Sequence, residues 1–167
     1  LVSGTDDQRL VAYRALRRAG HDVVALAAQA AVDRSPAIRR DAALMLRDVP
    51  SARSRDLLIQ IARQYDGRDR SYLEAFGTGC EGKEAEIYAA LRREQPQDPV
   101  QWTPAFADLA WRLHVVDAAG DFKTRARSAA LPATERKRAL TALAFMPSLA
   151  AATAVVDLAT DASFPSV

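Results

Sequence analysis

Apolar residues recur along this chain at the three- and four-residue intervals that place them on one face of an α-helix, as in Tyr72, Leu73 and Phe76. One local pattern returns. Arg9-Leu10-Val11-Ala12-Tyr13-Arg14-Ala15-Leu16-Arg17 aligns with Arg39-Arg40-Asp41-Ala42-Ala43-Leu44-Met45-Leu46-Arg47 at an offset of 30, with both end arginines, the alanine and the last leucine coinciding. Weaker copies begin at Tyr72, Phe106 and Arg138. Each copy is followed, after a short break, by a second apolar helical stretch: Val23–Val32, Arg55–Gln64, Lys83–Arg93, Asp117–Ala129 and Leu149–Thr160. The breaks hold Gly20, Pro50, the stretch from Gly77 to Gly82, the surroundings of His114, and Pro147. Alternating runs of Val, Ile, Thr and aromatic residues, the mark of half-buried strands, are missing from the sequence.

Start signals agree with this division. Asp6-Asp7 precedes the first copy, Ser35-Pro36 offers an N-cap and an N1 proline to the second, and Leu131-Pro132-Ala133-Thr134-Glu135 opens the fifth. Helix pairs of about 30 residues are too small to bury an apolar face alone and must stack on neighbours, which is the physics of an α-solenoid. The expectation is an all-α chain of about five pairs in one domain, over 5–33, 34–66, 67–97, 98–130 and 131–162. The short period, the arginine near the start of the first helix and the alanine-rich interior resemble HEAT-like repeats, which implies a right-handed superhelix. A closed helical bundle is the alternative, but a bundle does not require one local pattern to recur.

Composition narrows the function classes. At 167 residues the chain is long enough to bury a sizeable core, and its abundant alanine lets helices approach closely. Twenty-three basic against 21 acidic residues leave a formal charge of +2, too balanced to imply a nucleic acid or an anionic membrane as partner. The charge is nevertheless blocked: +4 over 34–70, −5 over 71–122 and +5 over 123–138. Such blocks steer charged partners or are the solvated faces of amphipathic helices. A single cysteine, Cys80, excludes an internal disulfide and a Cys-rich metal or haem-attachment motif. There is no leader-like segment and no apolar run of spanning length, and the ends at Leu1-Val2-Ser3 and Phe164-Pro165-Ser166-Val167 read as cuts from a longer chain.

Few residues look like chemistry. Gly77-Thr78-Gly79-Cys80-Glu81-Gly82 spells the G-x-G-x-x-G of dinucleotide-binding loops, but that loop must follow a strand and feed a helix whose amides hold phosphate. Here it follows a helical pattern, and Glu81, Glu84 and Glu86 would repel phosphate. The glycines are expected instead to turn the chain between the two helices of the third repeat. His21 and His114 fall at helix ends and share no metal-ligand spacing, and no Ser–His–Asp set or carboxylate pair assembles, so no catalytic, cofactor-binding or metal residue is assigned. Trp102 and Trp111, with Phe106 between, are expected on one helix, packed against a neighbouring repeat or offering an aromatic ligand platform. The basic run Lys123-Thr124-Arg125-Ala126-Arg127 and Arg136-Lys137-Arg138 raises the case of a HEAT-like DNA glycosylase, but the acidic third and fourth repeats interrupt any continuous basic groove.

The stretch from Gln64 to Gly77, with Cys80-Glu81-Gly82-Lys83-Glu84, resembles the "YDG-DR-YLEALG-GA-G-E" segment of large multidomain bacterial proteins. Trp111-Arg112-Leu113-His114 and the run from Glu135 to Phe145 resemble two further segments of that family. In it a HEAT-like region accompanies a sugar-dehydrogenase-like β-propeller and a c-type haem domain; Ser71 and Val115-Val116 depart from its pattern, and its haem and dehydrogenase motifs do not occur here. The resemblance implies an exported, periplasmic redox parent in which this segment positions the other domains. The expected function is therefore a non-enzymatic scaffold that contacts a protein or neighbouring domains, with no cofactor of its own. Its second helices would line a concave face bearing Arg55, Arg63, Arg92, Arg93, Arg125 and Arg127. A nucleic-acid-binding HEAT-like protein and a HEAT-like lyase with a small ligand near Trp102 and Trp111 are the alternatives.

Overall fold

The computed structural model of the chain describes residues 3–161 and Phe164. Ala162, the last residue expected in the fifth repeat, and the chain ends at 1–2 and 165–167 lie outside the described residues. Among the described residues there are ten α-helices and no strand, so the chain is all-α. In order they are α1 (Asp6–Arg18), α2 (Val23–Ala31), α3 (Pro36–Met45), α4 (Ser51–Ala62), α5 (Arg70–Gly79), α6 (Glu84–Arg92), α7 (Pro104–Leu113), α8 (Ala119–Arg127), α9 (Ala133–Phe145) and α10 (Leu149–Thr160). Short 3₁₀ turns precede α7, at Pro99–Gln101, and α8, at Val116–Ala118.

Local chemistry explains these limits. Thr5 and Gln8 close a reciprocal capping box at the start of α1, and Asp6-Asp7 and Arg17-Arg18 stand at its positive and negative ends. Asp69 caps α5 by accepting from the Tyr72 N–H, Thr103 caps α7 at Phe106, and Ser148 caps α10 at Ala151. Pro36 and Pro104 occupy first-turn positions, where a missing N–H costs nothing. Ser35 is the N-cap of α3 without a capping bond; it is buried, and its N–H donates to Asp33 Oδ1 at 2.8 Å. Helix α7 ends at His114 in the left-handed region, φ 51°. Two expected helix starts shift: α4 begins at Ser51, directly after Pro50, and α8 begins at Ala119 because Val116–Ala118 winds as a 3₁₀ turn.

The chain divides into two compact units, one up to Ile87 and one from Tyr88, with the boundary inside α6. In the first unit alternate helices pack on one another: α1 on α3, α3 on α5, and α2 on α4. Its core holds Tyr13, Leu26, Ile38, Leu46, Leu58, Ile61, Tyr72 and Phe76 together with many buried alanines. In the second unit α7 packs on α9 and α8 on α10, around Trp102, Phe106, Leu113, Phe122 and Leu143.

The glycine stretch differs from the expected turn. Gly77 and Gly79 are buried residues of α5 itself, and only Gly82 is left-handed, at φ +75°. A Cβ on Gly79 would stand 2.3 Å from the Ala43 carbonyl oxygen. That position is therefore glycine because the α3 backbone passes against it, not because the chain turns there.

Candidate interaction surface

Arginine supplies most of the polar reach of the chain, and the structure ties it largely to acids one repeat away. In the first unit Arg14 pairs with Asp41 (2.9 Å), Arg40 with Asp69 (3.7 Å), Arg47 with Glu81 (2.7 Å) and Arg55 with Glu86 (3.1 Å). In the second, Arg92 pairs with Asp121 (3.1 Å), Lys123 with Asp157, and Arg127 with Asp161 (2.9 Å). In every one of these the cation comes first in sequence and the acid one helix pair later. Pairs in the opposite sense, Arg34 with Asp6 (3.7 Å), Arg53 with Asp22 (3.6 Å) and Arg138 with Asp108 (3.8 Å), are fewer and all long, as the forward pair Arg40–Asp69 also is.

Two carboxylates act as hubs. Glu86 accepts from the Ser51 hydroxyl and from Arg55, which together hold its carboxyl below the ordinary range, the serine bond first. Asp121 accepts from the Tyr88 hydroxyl (3.0 Å) and from Arg92 Nε (3.1 Å). Burial, then the neighbouring Asp121, pushes the Tyr88 phenol up. Exposed ion pairs contribute about 0–1 kcal/mol each, so the ladder sets register between helix pairs more than it adds stability.

The six arginines expected on one surface meet different fates. Arg55 is exposed but lies between Asp56 and Glu86. Arg63 and Arg93 are exposed, just past the ends of α4 and α6. Arg92 is partly buried, donates to the Pro96 and Gln97 carbonyls as well as to Asp121, and lies 5.0 Å from the Trp102 ring centroid. Arg127 is exposed and paired with Asp161. Arg125 cannot belong to any surface. It is 1 % exposed, donates to the Pro99 carbonyl (2.6 Å) and Glu135 (3.0 Å), and sits 5.8 Å from the Trp102 ring centroid. Burial lowers its pKa against the opposing pull of Glu135.

Trp102 also differs from expectation. It precedes α7, separated from it by the N-cap Thr103, rather than sharing a helix with Trp111. Only 4 % exposed, it meets Phe106 and Phe122 edge-on at 4.8 and 6.1 Å, with Arg92 and Arg125 over its ring. This tryptophan fills a core. Trp111 and His114 meet edge to face at 6.1 Å, and His114 stacks on the exposed Phe145 at 6.4 Å. His21 is exposed in the α1–α2 turn, and Cys80 is fully buried at the end of α5.

Lys83 is a residue that helical periodicity does not single out. It is 8 % exposed, and its ammonium donates to three main-chain carbonyls: Leu46 (3.1 Å), Arg47 (2.7 Å) and Gly79 (2.9 Å). It thereby fastens the C-terminal ends of α3 and α5 together, where helix dipoles favour a cation. A lysine four residues past the last glycine of a helix was the available signal. For the ladder the signal was opposite charges 34 apart, as in Arg47/Glu81, Lys123/Asp157 and Arg127/Asp161.

Among the described residues no three of the metal-binding types His, Cys, Asp and Glu cluster as a metal site, and no helix is long and apolar enough to cross a membrane. Comparison with family models, with curated proteins and with solved structures gives no match.

Proposed function

We propose that this chain is a non-catalytic scaffold: a right-handed, HEAT-like solenoid of about five helix pairs that holds neighbouring domains of a larger, exported bacterial redox protein in place. The directional ladder is the observation that carries this reading. Side chains able to do chemistry elsewhere, Arg92, Tyr88, Asp121, Lys83 and Arg125 among them, are here bonded to the helix pair before or after their own. Such bonds suit an element whose task is to keep successive pairs in fixed register. The alternation of packing, α1–α3–α5 in one unit and α7–α9 in the other, supports the same plan.

The ladder also bears on the nucleic-acid alternative. Of the basic run 123–138, Lys123, Arg125, Arg127 and Arg138 are all paired with carboxylates. Duplex DNA would have to compete with those partners for each contact. Fluorescence anisotropy with a labelled duplex at low salt is expected to show no salt-sensitive binding. Co-elution of this chain with separately produced domains encoded in the same reading frame tests the scaffold directly. A reading frame that encodes no further domain would sink the proposal.

A further inference from the structure

Lys83 stands where a helix start disfavours it. It directly precedes α6, and its carbonyl accepts the Ile87 N–H at 3.0 Å. A cation there meets the positive helix end, which Glu84 and Glu86 suit instead. Lysine is also no N-cap, since its side chain has no acceptor. What uses its charge lies behind it. The Lys83 N–H donates to the Cys80 carbonyl at 2.7 Å and Gly82 is left-handed, so the chain doubles back on the end of α5. There the ammonium spends all three of its N–H groups on main-chain carbonyls, those of Arg47 (2.7 Å), Gly79 (2.9 Å) and Leu46 (3.1 Å). Gly79 closes α5, Leu46 is the C-cap of α3 and Arg47 follows it. The close approach that leaves no room for a Cβ at Gly79 brings these two helix ends together.

We infer that the converging ends of α3 and α5 form a binding site for a small monovalent cation of the ammonium type, which the chain fills with its own side chain. The donor set fixes the class. Three neutral oxygens and no carboxylate surround the charge, which suits one positive charge rather than two. The separations are those of ammonium hydrogen bonds, longer than the roughly 2.0–2.6 Å at which magnesium and calcium bind oxygen. Grouped carbonyls replace the hydration shell of such an ion, and the negative ends of two helices add to their pull. The site therefore reads charge and size rather than lysine itself, and a free cation takes it once the side chain is withdrawn. This site is independent of the scaffold reading, and neither falls with the other.

Lys83→Ala tests it, because the group it deletes is a propylammonium ion. Thermal melts of this variant are followed by circular dichroism in ammonium or propylammonium chloride, from about 1 mM to about 100 mM, with tetramethylammonium chloride holding the ionic strength constant. The melting temperature is expected to rise with added ammonium or propylammonium and to follow a binding curve. At ten times the dissociation constant the unfolding equilibrium constant falls about tenfold. Tetramethylammonium, which has no N–H, and n-propanol, which has no charge, are expected to leave the variant unchanged. The wild-type chain, whose site is filled, and Lys83→Met, whose side chain takes the space without a charge, are expected not to respond. A Lys83→Ala chain too unstable to melt is titrated with propylammonium in the cold, where its helical signal is expected to return. No response to either ammonium ion, an equal response in Lys83→Met, or an equal rescue by n-propanol overturns the site.

Discussion

The two units close the space between their helices in opposite ways. In the first, backbone meets backbone: α5 lies so near α3 that Gly79 has no room for a side chain, and the buried Lys83 binds only main-chain carbonyls. In the second, large side chains fill the gap. Trp102, Phe106 and Phe122 interlock, and the buried Arg125 answers to a carboxylate, a carbonyl and an indole face. One helix-pair plan therefore tolerates both solutions. The difference shows in what balances a buried cation: helix-end dipoles suffice where ends converge, whereas an isolated site needs an anion.

Removing the first cation is the hardest blow to that contrast. Lys83→Met keeps the volume and leaves the carbonyls of Leu46, Arg47 and Gly79 without the ammonium. The expected loss is about 3 kcal/mol, read from urea unfolding followed by circular dichroism. Arg125→Met is expected to cost less, about 2 kcal/mol, because Glu135 keeps Arg138 at 3.3 Å and the thioether still packs against Trp102. Equal losses, or a larger loss at Arg125, would show that the carboxylate pair rather than the carbonyl cage is the more demanding device.

Legibility in the sequence follows the same divide. All ten helices were visible, since periodicity and start signals such as Asp6-Asp7 and Ser35-Pro36 act within a few residues. The offset between Arg9 and Arg39 was visible as well, and both prove buried. Arg9 is held by Asp33 and Gly4, and Arg39 by the carbonyls of Asp33 and Arg34. The surface expected of six arginines was not legible. Whether an arginine faces solvent or an acid depends on residues about thirty positions away, and a helical wheel is silent on that distance. Arg125 and Arg127, two apart in one basic run, end one buried against Pro99 and Glu135 and the other exposed beside Asp161, all partners on other elements that a helical wheel does not reach. Gly79 misled in the same manner, because a glycine that admits a neighbouring backbone and one that turns the chain are the same letter.

Gly79→Ala and Gly120→Ala sharpen the comparison at its smallest scale, one methyl group in a helix of each unit. Alanine ordinarily stabilises a helix interior by up to about 1 kcal/mol relative to glycine. At Gly79 the methyl would lie 2.3 Å from a carbonyl oxygen and 2.9 Å from its carbon, both backbone atoms that move only if α3 moves. The crowding outweighs the propensity gain, for a net loss of about 1–2 kcal/mol. At Gly120, early in α8, nothing lies within 4 Å of the added carbon, so the propensity gain stands alone and the melting temperature rises by a few degrees. Differential scanning calorimetry on both variants reads the two signs directly. If both alanines stabilise, α3 and α5 are free to separate and the backbone-to-backbone closure of the first unit is not a constraint. If both destabilise, a contact that the helix itself does not supply outweighs the propensity gain at Gly120.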